Sequence, residues 1–176
     1  MKKIMFFGFV LFFTVLLAFS AETAETPTVK EVGGEYYAYM EFTGPYNNMG
    51  PQINKFMAEF LSQKLTPAGP TVSMYFNSPT EVKPEELKWA YGFIVAPESN
   101  PKEPLKKMEL KKQTAVVCLH KGPYDSLSKS HEIAWKYVKD KGYKVIYPYY
   151  EKYLNNPKDV TPDKLETLIV LPVEKK

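Results

Sequence analysis

The sequence predicts an α+β fold made of two pseudo-symmetric β-α-β-β units, and three observations carry that prediction. The first is an internal repeat. Gly44-Pro45-Tyr46 returns as Gly122-Pro123-Tyr124, and Pro70, Tyr75, Asn77, Pro79, Val82, Pro84 and Leu87 return as Pro148, Tyr153, Asn155, Pro157, Val160, Pro162 and Leu165, all displaced by 78 residues without a gap. A period this long fits a duplicated supersecondary unit rather than a solenoid repeat. The second is a helical apolar stripe after each Gly-Pro-Tyr turn, and the third is alternating, aromatic-rich strand patterning on either side of it.

Taken in order, residues 1–20 read as a secretory signal. Lys2 and Lys3 precede an apolar run from Ile4 to Phe19, and Ala18-Phe19-Ser20 places small residues where a signal peptidase reads. The competing reading is an uncleaved membrane anchor, since the run approaches the roughly 18–20 residues that span a bilayer. Residues 21–34, ending in Gly33-Gly34, are expected to be a mobile leader. Glu35–Thr43 alternates as a strand and stops at Gly44-Pro45. Asn47 or Asn48 is the candidate cap of a helix whose face is Ile53, Phe56, Met57, Phe60 and Leu61. Thr66–Pro70 ends that helix, Val72–Phe76 is a short strand, and Lys88–Ala96 a longer one with Trp89, Tyr91, Phe93 and Val95 on one side. Residues 97–111, with three prolines, are the expected linker. The second half runs through Thr114–His120, the turn with Asp125 as cap, a helix striped by Leu127, His131, Ala134, Trp135 and Val138, and strands at Tyr149–Tyr153 and Thr167–Val173. The expected organisation is one domain over 35–174, with halves 35–96 and 112–174.

Composition narrows the function. Removing residues 1–20 takes away two lysines and no acids, so the net charge of +3 becomes +1. A near-neutral exported chain has no electrostatic reason to bind nucleic acid. All basic residues are lysine, so bidentate arginine capture of phosphate or carboxylate is not on offer. Cys118 is the single cysteine and, among Ala115, Val116, Val117 and Leu119, reads as a small buried hydrophobe. Two histidines and one cysteine supply no zinc set, and neither a phosphate-binding glycine loop nor a nucleophile elbow is present. No cofactor is expected.

What stands out is aromatic surface: thirteen tyrosines and two tryptophans, many of them on strands. Strands favour aromatics in any case, but Tyr147, Tyr149, Tyr150 and Tyr153 lie within seven residues. Glu151 shares a strand face with Tyr149 and Tyr153. In the first copy Ser73 and Tyr75 take the places of Glu151 and Tyr153, so a cleft between the halves would carry aromatics from both and an acid from one. A lone carboxylate among tyrosine faces suits a flat ligand that is cationic or donates hydrogen bonds, with roughly 0.5–2 kcal/mol per cation–π contact. The alternative for Glu151 is an exposed acid on an edge strand.

At these residues the sequence resembles the GyrI-like, or bacterial effector-binding, domain. The resemblance rests on the Gly-Pro-Tyr turn entering a helix, Tyr150-Glu151-Lys152-Tyr153, the Asn-Asn-Pro-Lys-Asp loop at 155–159 and the ending Leu171-Pro172-Val173. It implies a concave antiparallel sheet with the two helices outside, and a groove for drug-like molecules contacted by a glutamate at the position of Glu151. Tyr91 and Trp89 belong to the aromatic side of the first half, and Tyr91 resembles a pocket position. Where many members carry a second glutamate, this chain has Leu168, and Glu166 is the candidate substitute. Family members are often parts of transcription regulators or act on DNA gyrase; this chain has no helix-turn-helix, and those roles are not carried over.

The function expected is therefore an exported, secreted or periplasmic, monomeric small-molecule-binding protein. It would hold hydrophobic or cationic aromatic compounds through Glu151, Tyr153, Tyr149, Tyr75, Tyr91, Trp89 and Glu166, with no stable membrane span once the signal is removed. One alternative is a hydrolase of small reactive compounds using Glu151 and Tyr153. Another is haem binding, by similarity to SOUL-type proteins, for which only His120 and His131 could supply imidazole. Both read instead as core or boundary residues, because their first-copy equivalents are Phe42 and Ile53.

Overall fold

In a computed structural model the described residues are 23–175; the signal expected over residues 1–20 lies outside them. The elements are β1 (Thr23–Ala24), β2 (Thr28–Val32), β3 (Glu35–Thr43), α1 (Met49–Ser62), β4 (Pro67–Tyr75), β5 (Lys88–Val95), β6 (Lys106–Leu110), β7 (Gln113–Lys121), α2 (Leu127–Asp140), β8 (Tyr143–Val145), β9 (Tyr149–Tyr153) and β10 (Glu166–Lys175). The expected 78-residue offset holds at the level of elements: β3 and β7, α1 and α2, and the short 3-10 turns at Tyr46–Asn48 and Tyr124–Ser126 start and end 78 residues apart.

Two expectations about chain segments are corrected. The leader is not a mobile tail over its described part, and the linker is not structureless. Residues 28–32 and 106–110, again 78 apart, are equivalent strands, so the repeat is β-β-α-β-β. Each pairs with the long strand of the other half: β2 lies on β7 (Val32 opposite Gln113) and β6 on β3 (Leu110 opposite Glu35). The halves exchange edge strands. The helix caps also differ. Asn48 and Ser126 occupy the N-cap positions and neither makes a side-chain capping bond, because each helix is entered through a 3-10 turn. Asn47 and Asp125 lie inside those turns.

The sheet is antiparallel, in the order β1–β7–β10–β9–β4–β5–β3–β6, with β2 extending the β1 edge of β7 and β8 on β10. Its centre is the β4–β9 pair, where Ser73 faces Glu151, Thr71 faces Tyr153 and Tyr75 faces Tyr149. Ser73 and Glu151 are each other's repeat equivalents, so the local two-fold relating the halves passes between them.

The sheet must curl. β6 passes into β7 through Lys111 and Lys112 alone. Yet six strand spacings separate β6 from β7 in the sheet order. In a flat sheet those spacings are roughly 29 Å, while three residue steps span at most about 11 Å. The direction follows from contacts that jump strands. Lys152 on β9 pairs with Glu35 on β3, and the Tyr37 hydroxyl donates to the Val72 carbonyl. That inner face is filled by Tyr37, Val72, Met74, Ala90, Tyr150 and Val170. The outer face carries the helices, with Phe56 and Phe60 of α1 and Ala134 and Val138 of α2 packed on Phe42, Trp89, Val116, Cys118, Ile169 and Leu171. The result is the curled antiparallel sheet with two outer helices that the family resemblance implies.

Candidate functional site

The helices leave the middle of the outer face open. α1 contacts β3 and β5, and α2 contacts β7, β8 and β10, so neither lies over the β4–β9 pair. Above that pair is a cavity of about 700 Å³, bounded by Tyr75, Tyr149 and Glu151 of the sheet, Leu127, His131 and Trp135 of α2, Tyr46 of the first 3-10 turn, Tyr147, and the Ser78–Glu81 loop. The volume lies in the range of small-molecule sites.

Its aromatic wall is ordered by ring geometry. Tyr75 and Tyr149, cross-strand partners, stack with centroids 4.9 Å apart and planes at 21°. Tyr46 meets Tyr75 edge-on at 5.4 Å, and Trp135 meets Tyr149 edge-on at 5.6 Å. Tyr147 leans on Tyr149 and donates its hydroxyl to Glu81 Oε2 at 3.0 Å.

Glu151 is only 4% exposed, so it is a buried acid rather than an exposed edge-strand one. Tyr75 and Tyr153 donate to its Oε2 at 3.0 and 2.7 Å, and His131 Nε2 lies 2.6 Å from its Oε1. A buried carboxylate without such partners would be prohibitively costly. Tyr153 is in turn 3.1 Å from Ser73 Oγ, so the serine that replaces the acid in the first half helps to hold the second half's tyrosine. Burial, and then the charge of Glu151, push the Tyr75 and Tyr153 hydroxyls well above the usual phenol range, which keeps both as donors. Burial likewise raises Tyr149, with Tyr46 and Glu151 adding to it. Burial and the bond to Glu81 push Tyr147 up to about 12.

The sequence-predicted site residues are therefore divided. Glu151, Tyr149 and Tyr75 line the cavity, and Tyr153 braces Glu151 from the first-half side. Trp89 is 1% exposed and packed on Phe42 at 4.6 Å, and Tyr91 lies against Phe56 of α1 at 5.5 Å. Both belong to the core beneath α1. Glu166 is on the inner-face side of β10, opposite Lys121, whereas Glu151 is level with outward-facing Ile169. It cannot stand in for a second pocket acid.

His131 is the residue whose partner sequence reasoning missed. It is expected on the helix stripe as a core or boundary residue, and there its side chain is 20% exposed, borders the cavity and is bonded to Glu151. Its signal was present in the duplication. His131 and Glu151 replace Ile53 and Ser73, so the repeat is broken at two positions that meet in space. His120, in contrast, is fully buried: Nδ1 is 2.8 Å from Ser130 Oγ and Nε2 3.2 Å from the Pro123 carbonyl. One ring nitrogen is bonded to α2 and the other to the turn that enters it. Cys118 is buried, its thiol pushed up by burial and then by Glu25, and it donates to the Glu25 carbonyl at 3.3 Å. Among the described residues no group of three or more His, Cys, Asp or Glu side chains is placed to hold a metal ion, and no helix is long and apolar enough to cross a membrane.

The sequence model of the GyrI-like small molecule binding domain matches residues 25–174. No curated protein matches the chain. Among solved structures, EcmrR in complex with DNA is 21% identical with a TM-score of 0.73 over 87% of this chain, which spans 58% of that protein's length. The isolated EcmrR C-terminal domain is 22% identical, with a TM-score of 0.67, 88% of this chain and 99% of that one being covered. SAV2435 bound to tetraphenylphosphonium is 13% identical, with a TM-score of 0.57 over 84% of this chain and 93% of that one. A hydrolase from Listeria innocua is 12% identical, with a TM-score of 0.57, covering 85% of this chain and 92% of that one. At these identities the likeness is one of fold.

Proposed function

Because the chain belongs to the GyrI-like small-molecule-binding domain family, we propose that the cavity above the β4–β9 pair is its ligand site and that it takes flat, hydrophobic, cationic molecules. One observation carries the reading: the buried Glu151 carboxylate forms the floor of an aromatic cavity whose lining includes Glu81 and Glu132 but no lysine, in a chain with 23 basic residues. Tyr75 and Tyr149 offer ring faces for stacking, and carboxylates supply the opposing charge. That SAV2435 holds tetraphenylphosphonium, a tetrahedral aromatic cation, agrees with the hydrophobic and cationic part of this chemistry without assigning the ligand.

The test is a thermal-shift and calorimetric titration of residues 21–176 with tetraphenylphosphonium. At 100 times its dissociation constant a ligand adds about 2.7 kcal/mol of stability. Glu151→Gln is expected to weaken the cation by roughly tenfold or more. An unchanged affinity in that variant places the site elsewhere.

A second reading, hydrolysis of a small electrophile, draws on the 2.6 Å bond between His131 and Glu151, since a carboxylate that orients an imidazole is a common base arrangement. Turnover of a strained-ring substrate that disappears in both Glu151→Gln and His131→Ala would favour it over simple binding. We also propose export, supported by the charge, apolar run and small residues of positions 1–20. A mature N-terminus at Ala21 in an extracytoplasmic fraction is the expected finding, and an intact Met1 in the cytoplasm would refute it.

A further inference from the structure

We propose that His131 is the specificity-determining residue of this cavity: an internal counter-ion for Glu151 whose protonation decides whether the site accepts a cation. The inference rests on the ligand-site reading above and goes one step further, to how that site chooses.

The argument begins with the saturation of Glu151. Its Oε2 takes two tyrosine hydroxyls and its Oε1 takes His131 Nε2 at 2.6 Å. An ionised carboxylate only accepts, so His131 must present N–H from Nε2, either as the neutral tautomer or as the cation. The two states differ in what an incoming ligand meets. With neutral imidazole the pair keeps a full negative charge beneath the stacked rings of Tyr75 and Tyr149. With imidazolium the pair is electrically neutral, and the extra positive charge sits at the cavity wall. A cationic ligand is then opposed by a like charge in a site where screening is weak. An uncharged aromatic ligand meets the same rings and the same volume in both states.

The groups facing His131 support this assignment. Tyr149, whose ring is 6.1 Å away, and Tyr75 both have hydroxyls raised by burial and do not change charge in the neutral range. From across the cavity come Tyr46, likewise raised by burial, and the carboxylate of Glu81; Glu132 is its neighbour on α2. These carboxylates are the same in a protein that lacks the imidazole, so comparison with such a protein isolates His131. The first half has no such device, because Ile53 and Ser73 stand at the equivalent positions.

The experiment measures dissociation constants for tetraphenylphosphonium and for uncharged triphenylphosphine oxide between about pH 8 and about pH 5, where histidine changes charge. Native protein and His131→Gln are compared; glutamine donates a hydrogen bond but cannot take up a proton. Native protein is expected to lose at least about tenfold of its cation affinity on acidification and less than about twofold for the uncharged probe. His131→Gln is expected to show a flat cation profile, whatever its affinity. A flat native profile, equal losses for both probes, or a loss retained in His131→Gln (which would point to Glu151 itself) overturns the inference and leaves the ligand site standing. Absence of cation binding at every pH overturns the ligand-site reading and this inference with it.

Discussion

Ser73 and Glu151 face each other across the β4–β9 ladder at the point about which the two halves are related. The centre of the repeat thus carries two different chemistries, an uncharged hydroxyl against a buried carboxylate. Ser73→Glu would set a second acid directly opposite the first. Two carboxylates cannot both ionise there at ordinary cost. The variant should lose roughly 3 kcal/mol of stability at neutral pH, with part of the loss recovered in mild acid, as read by urea denaturation at both pH values.

The donors to Glu151 make a second prediction. Tyr75→Phe and Tyr153→Phe each remove one hydrogen bond to a buried charge, worth about 1.5–3 kcal/mol. Their effects should not add, because both hydroxyls serve the same oxygen. A double-mutant cycle by chemical denaturation measures the coupling, and simple additivity would show that the two bonds do not form one network.

Alkaline pH should destabilise the fold through its tyrosines. Tyr147 is raised from its ordinary 10.0 to about 12, and Tyr75, Tyr149 and Tyr153 are raised as well. A group held protonated in the native state and free to ionise when unfolded contributes its full stabilisation below the unfolded value. For Tyr147 that contribution falls from about pH 10 to about pH 12. Phenolate absorbance should accordingly show a class of tyrosines that ionise late and together with unfolding.

The crossing of β2 and β6 rests on close backbone approach. Gly33 has φ +98°, and a Cβ there would lie 2.2 Å from the Lys111 carbonyl oxygen. Gly33→Ala is expected to cost roughly 1–3 kcal/mol, while Gly44→Ala, at φ +117° but with open space around it, should carry only the conformational part. Comparison of the two melting temperatures separates strain from collision.

Much of the fold was legible because its core elements are strongly patterned. Phe56 and Phe60 are buried on the predicted stripe of α1, although Leu61, placed on the same stripe, is 65% exposed. β2 and β6 were not legible. Their sequences, Thr-Val-Lys-Glu-Val and Lys-Lys-Met-Glu-Leu, are those of edge strands, which lean on lysine and glutamate and carry little apolar alternation. The start of β4 was hidden by Pro67 and Pro70, which its register shift accommodates. At the site, Glu151, Tyr149 and Tyr153 could be read from one strand's alternation, and Tyr75 from the repeat. His131 could not, because its partner is on another element and only the joint departure from Ile53 and Ser73 marks the pair.

The exchange of edge strands also bears on how the molecule comes into being. A chain made from its N-terminus carries β2 with nothing to pair with until β7 has emerged, and β3 with a bare edge until residue 110 has followed. Neither half can mature ahead of the other, so the protein is finished only late in its own synthesis. Under the export proposed above, that delay would leave the two halves unjoined while the chain is threaded across the membrane.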